Sequence, residues 1–189
     1  GHEHRLHGLQ LWVALPLQHE RDAPSFEHVA ADALPRLQVD GVSLRVIAGH
    51  AYGARSPVAV HGDLFYVDAQ VPAGQRLRLP DEHVQRAAYV IEGDMQVGDE
   101  ALGVAELMVF ASGTSVELRA NTDSHVVLLG GAPLDAPRYM WWNLVASSED
   151  LLEEARQAWR EQRYPKVEGD AEFIPLPEQG RVTLRLNPA

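Results

Sequence analysis

Apolar and polar residues alternate in short runs along most of this chain. Leu9-Gln-Leu-Trp-Val13, Val42-Ser-Leu-Arg-Val-Ile47 and Arg76-Leu-Arg-Leu79 alternate, and Leu64 to Val71 is rich in β-forming residues. Ala87 to Ile91, Leu107 to Phe110, Ser115 to Arg119 and His125 to Leu129 continue the series. Turn residues separate the runs at Pro72-Ala-Gly74, Glu92-Gly-Asp94, Gly98-Asp99, Ser112-Gly113 and Asn121-Thr-Asp123. Period-two runs spaced about 8–12 residues apart predict an antiparallel sandwich or barrel. Such strands turn one face to the core and one to solvent. No helix-length segment lies between successive runs, which argues against a parallel α/β sheet.

One helix is predicted. Ser147 or Ser148 caps it, and Ser147-x-x-Asp150 resembles a capping box. Leu151, Leu152, Ala155 and Trp159 form its apolar stripe. Acids crowd its start and Arg156, Arg160 and Arg163 its end, which suits the helix dipole. Pro165 is the expected stop. Pro16 to Pro35 reads as a connector with a short helix around Ser25 to Ala33, and the segment from Gly169 onward reads as an extended strap.

Composition narrows the function classes. The chain has 189 residues, 46% of them hydrophobic and 23% charged, which is globular composition. Sixteen Lys and Arg against 27 Asp and Glu give a net charge of −11. That acid excess argues against direct nucleic-acid binding, which rests on cations neutralising phosphates. Cysteine is absent, so disulfides, thiolate nucleophiles, cysteine–zinc sites and iron–sulfur clusters are excluded. No run of about 18 apolar residues exists to span a membrane. Gly1 to His7 lacks the basic-then-apolar design of a signal peptide, and a cytoplasmic location is expected.

The chemistry-bearing residues are few. His2 and His4 form a His-x-His pair, a candidate for metal ligation, against which stands the looseness of a chain end. The segment Gly74 to Gly93 has the shape of the first cupin motif, and Ala111-Ser-Gly-Thr-Ser-Val116 matches the second. A working cupin site brings about three histidines and a carboxylate together inside the barrel. Here His83 is the one histidine near the first motif, Arg86 stands where the glutamate belongs, and Val116 stands where the last histidine belongs. Neither a guanidinium nor an isopropyl group can ligate a cation. His83 is therefore expected to be hydrogen-bonded or exposed, and no metal, cofactor or catalytic residue is expected in this chain. His2, His4 and His83 are the metal candidates. His19, His28, His50, His61 and His125 are scattered and read as surface or satisfied polar residues, and Gly130-Gly131 reads as a turn ending a strand. No phosphate loop, Gly-x-Gly-x-x-Gly or Gly-x-Ser-x-Gly occurs. Trp12, Trp141 and Trp142 are candidates for partner binding, because aromatic anchors carry interface energy. The competing role for the Trp141-Trp142 pair is core packing against the helix.

Several stretches together resemble the pirin family. They are Gly8-Leu-Gln-Leu-Trp-Val-Ala-Leu-Pro16, Ala23-Pro-Ser-Phe26, Val46-Ile-Ala-Gly49 and Tyr89-Val-Ile-Glu-Gly93, then Leu128-Leu-Gly-Gly-Ala-Pro-Leu134, Trp141-Trp-Asn143 and Glu172-Phe-Ile-Pro-Leu-Pro177. The resemblance runs from about Leu6 to about Glu178. It implies a mostly β cupin fold, a double-stranded β-helix or jelly-roll barrel, followed by a C-terminal α-helix. Pirins are bicupins whose Fe(II) is held in the N-terminal barrel by three histidines and a glutamate. On that resemblance residues 1–35 are the last strands of the first cupin plus a connector. Residues 36–145 are the C-terminal cupin, and residues 146–189 are the helix and strap. Some family members resemble quercetin 2,3-dioxygenases. Others are regulators that bind a transcription factor or a metabolic enzyme. The expectation is a chain without metal or activity of its own, derived from a dioxygenase-like bicupin. The alternatives are a protein-binding module and a barrel that holds a small ligand without metal. The expected partners are the N-terminal cupin, a second copy in a homodimer or exchanging the strand Leu9 to Val13, and a regulatory protein.

Overall fold

Two-residue turns organise the β-rich region. In the computed structural model Asp40-Gly41 joins β1 (Arg36–Val39) to β2 (Val42–Ala51), with φ of 48° and 83°. Both residues sit in the left-handed region that the tightest hairpins require, where Asp-Gly is favoured. Tyr52-Gly53 joins β2 to β3 (Ala54–Arg55) in the same way. The structure describes residues 7–166, 168–177 and 184–186. His2 and His4 lie outside them. Contacts divide the chain into two units, residues 22–133 and residues 1–21 with 134–189.

In the first unit β4 (Leu64–Val71), β5 (Arg76–Arg78), β6 (Gln85–Glu92) and β7 (Met95–Val97) follow β3. Next come β8 (Glu100–Leu102), β9 (Leu107–Phe110), β10 (Glu117–Ala120) and β11 (Ser124–Gly131). They build two antiparallel sheets. One runs β1-β2-β4-β11-β6-β9 with β3 on β2, and the other runs β5-β10-β7-β8. One buried cluster draws on both sheets: Val42, Leu44 and Val46 of β2, Phe65, Val67 and Ala69 of β4, and Leu77, Met95, Leu102 and Leu118 of the smaller sheet. The alternation seen in the sequence is thus a burial pattern, and β4 shows it residue by residue.

Gly130 and Gly131 do not form a turn. They lie inside β11, between β4 and β6, opposite Phe65 and Leu64 on one side and Arg86 and Gln85 on the other. A Cβ on Gly130 would come within 2.0 Å of the Gln85 carbonyl oxygen and 2.6 Å of Phe65. The glycine serves close approach of backbones, a role that turn chemistry does not reveal.

In the second unit β12 (Arg138–Trp141) pairs with β13 (Leu144–Ala146) and β14 (Leu184–Leu186). Helix α1 (Glu149–Arg160) follows β13, and Ser148 caps it by accepting from Leu151 N at 3.2 Å. Leu152 packs with Trp141, Leu144 and Ala146. Arg138, 1% exposed, donates to Leu15 O at 2.6 Å, Ala136 O at 2.8 Å and Asp135 Oδ1 at 2.6 Å. Asp135 also accepts from Leu17 N at 2.7 Å, so this buried guanidinium ties the segment around Leu15–Leu17 to β12. Leu9 to Val13 alternates yet has no place in a sheet among the described residues, and Leu9, Leu11, Trp12 and Val13 are exposed. Alternation marks which residues suit a strand; a strand still needs a hydrogen-bonding neighbour. The segment Ser25 to Ala33 likewise forms no helix, only a turn closed by Ala33 N on Ala30 O.

Candidate functional site

The interior positions matched to cupin ligands are occupied by side chains without donor lone pairs. Arg86 lies on β6 with the same facing as Ala88 and Val90, which belong to the core, and is 3% exposed. Its Nη2 donates to Thr114 O at 2.5 Å, and its Nε is buried without a partner. Val116 is 5% exposed within the same core. The residues present at these positions do not fit an iron ion, since neither can coordinate one.

A second group forms at one end of the larger sheet. His50 is the next-to-last residue of β2, Asp63 immediately precedes β4 and His83 sits two residues before β6; the ladders of β2, β4, β11 and β6 bring these ends together. The His83 side chain is fully buried and packs on Phe65, with ring centres 4.7 Å apart. Its Nε2–H donates to the His50 carbonyl at 2.9 Å, while its Nδ1 is buried without a hydrogen-bond partner and lies 3.7 Å from Asp63 Oδ1. His50 Nε2 donates to the same carboxylate oxygen at 2.8 Å. Nearby, Tyr52 donates to Arg78 O at 2.7 Å, and burial, followed by the charge of Glu82, pushes its phenol up, so it acts as a donor and not a base. On another part of the sheet His125 pairs with Asp68.

Motif spacing in the sequence points to His83, whereas His50 and Asp63 carry no local signal. These residues are 33 and 20 positions from His83, and only strand register brings them together. In the other unit Trp141 is buried in the core, with the Arg156 guanidinium 4.3 Å from its ring centre. Trp142, in the β12–β13 turn with φ of 53°, meets the edge of Trp159 at 5.1 Å. Trp159 donates to Ile174 O at 2.8 Å and stacks on Phe173; these residues, with Tyr164 and Lys166, line a cavity of about 440 Å³. Trp12 is 52% exposed.

Residues 66–165 match the model of the pirin C-terminal cupin domain. The chain belongs to the pirin family. It is 43% identical over 179 residues to a pirin-like protein of Caulobacter vibrioides, covering 94% of this chain and 62% of that protein. To human pirin it is 30% identical, covering 81% of this chain and 55% of that one. A solved quercetin 2,3-dioxygenase from Acinetobacter baumannii superposes with a TM-score of 0.77 at 29% identity, covering 90% of this chain and 59% of that one. The pirin fold expected from the sequence, mostly β and cupin-like with a C-terminal helix, is therefore present. The chain spans little more than half the length of these relatives. The matched pirin domain contains His83, Arg86 and Val116 but begins after His50 and Asp63. Among the described residues no helix is long and apolar enough to cross a membrane.

Proposed function

We propose that this chain is the C-terminal cupin portion of a quercetin 2,3-dioxygenase-like pirin, and that it supports the chemistry of the whole protein without performing it. The observation that carries the reading is the filling of the barrel interior. A guanidinium and an isopropyl group stand at the matched ligand positions, both buried, and Val116 belongs to the apolar core with Val46, Phe65, Leu118 and Leu128. The similarity to a quercetin 2,3-dioxygenase supports the choice of reaction class. In that class iron activates a flavonol and dioxygen. Arg86 and Val116 offer such a metal nothing, so no step is assigned to residues of this barrel. The expected iron ligands belong to the N-terminal cupin of the whole protein.

The decisive experiment measures dioxygen uptake with quercetin after anaerobic loading with Fe(II). The full-length protein is expected to consume dioxygen and this chain alone is not. Turnover by the chain alone would overturn the reading.

A binding role for the same portion has its own support. Leu9, Leu11, Trp12 and Val13 are 39–61% exposed in one continuous segment, a surface that isolated monomers seldom leave bare. The occupant that fits is the N-terminal cupin, or a second copy of this chain exchanging that segment. Light scattering of the chain alone should show a dimer; a monodisperse monomer would remove the exchange.

A further inference from the structure

We propose that His50, Asp63 and His83 form a binding site for a first-row divalent transition metal ion, with Zn(II) as the reference ion. The site is separate from the ligand positions at Arg86 and Val116 and does not depend on the reading of that interior.

The argument starts at His83. Its Nε2 carries the hydrogen donated to the His50 carbonyl, which in the neutral ring leaves Nδ1 with a bare lone pair. That nitrogen is buried, has no hydrogen-bond partner and faces a carboxylate oxygen 3.7 Å away. Two lone pairs face each other across 3.7 Å. A proton on Nδ1 would give an ion pair at that distance, too long for a hydrogen bond; a cation held between the two atoms would engage both lone pairs. The bond from Nε2–H to a backbone carbonyl is also the outer contact that fixes a ligating imidazole in its metal-binding tautomer.

The rest of the donor set matches. One ligand atom from each of the three residues lies within 4.8 Å of the others. Metal–donor bonds of about 2.0–2.1 Å in a tetrahedron need donors about 3.3 Å apart. The 2.8 Å and 3.7 Å separations seen at Asp63 bracket that spacing. His83 is fixed by the core, whereas His50 and Asp63 are 31% and 55% exposed and free to adjust. Their exposure leaves an entry path and an open position for water. Two imidazoles and one carboxylate favour ions such as Zn(II), Co(II) and Fe(II) over Mg(II). On binding through Nε2, the neutral His50 ring carries its one hydrogen on Nδ1 instead, with no net release of a proton.

The test titrates the whole chain with Zn(II) against a chromophoric chelator and with Co(II) by visible absorption. The expected result is one ion per chain, a tetrahedral Co(II) spectrum and no response to Mg(II). D63N and H83Q should each weaken Zn(II) binding by more than about 100-fold, the upper end of what losing an outer contact costs. D63N keeps the main-chain bond from Ala132 N to residue 63 and an amide oxygen that can still accept from His50; its melting temperature should match wild type. Replacing His2, His4 and His7 with alanine should leave the affinity unchanged. Zn(II) affinity within threefold of wild type in D63N would overturn the proposal. So would loss of binding in the terminal-histidine variant, or no binding at millimolar Zn(II). None of these outcomes bears on the quercetin experiment.

Discussion

Gly130→Ala is the substitution whose cost can be worked most directly from the fold. The added methyl would lie 2.0 Å from the Gln85 carbonyl oxygen and 2.6 Å from the Phe65 ring. Ordinary contact begins near 3.4 Å, so β6 must retreat from β11 by about 1.4 Å. A ladder bond near 2.9 Å does not survive that shift. Losing about two such bonds at roughly 1 kcal/mol each, with overpacking of about 1–3 kcal/mol, gives roughly 3–5 kcal/mol of destabilisation. For a chain of this size that corresponds to about 6–20 °C in melting temperature. Gly62→Ala supplies the control, because nothing lies within 4 Å of its added methyl and its φ is not left-handed. There a gain of about 0.4–1 kcal/mol is expected from the stiffer unfolded chain. Urea unfolding of both variants checks the pair. A Gly130→Ala protein within 1 kcal/mol of Gly62→Ala would refute the close-approach argument.

Other expectations concern the second unit. Arg138→Met strands the carbonyls of Leu15 and Ala136 and should cost about 3 kcal/mol by chemical denaturation; a neutral result would show that water replaces the guanidinium. The Leu17 N–H, and after it Arg138, hold the Asp135 carboxyl below its ordinary range. Its stabilisation is therefore complete above the unfolded value near pH 4 and fades as pH falls through the lower folded value. The stability gap between wild type and Asp135→Asn should narrow below about pH 4, and a gap that stays constant between pH 7 and pH 2 contradicts this. Ser148→Ala removes the cap on Leu151 N and should cost about 1 kcal/mol in the same denaturation experiment.

The legible parts of the fold were those where local pattern and tertiary role coincide. Leu64–Val71 and Leu107–Phe110 alternate or run apolar between turns, and both are strands with those bounds. Ser148 marks the helix start because capping is a local matter. The helix stops at Arg160, with Gln162 at φ of 53°, well before the stop expected at Pro165. The hairpins at Asp40-Gly41 and Tyr52-Gly53 carried a usable signal in their glycines, but strands as short as Arg36–Val39 show too few periods to stand out. Leu9 to Val13 shows the converse, a strand pattern with no partner strand among the described residues. Arg86 and Val116 are matched to ligand positions by motif spacing alone; what the structure adds is that both are buried. The His50–Asp63–His83 group was not legible, because separations of 13 and 20 residues become contacts only once four strands set their register.

The central claim is that the interior of this cupin is closed to iron. Asp63→Asn removes a carboxylate at the end of the sheet and leaves Arg86 and Val116 untouched, so iron retained by this variant would report on the interior. The measurement is the iron content of the Asp63→Asn chain after anaerobic Fe(II) loading and desalting. The account predicts far less than one iron per chain. A full equivalent, retained again when the terminal histidines are also replaced, would contradict it.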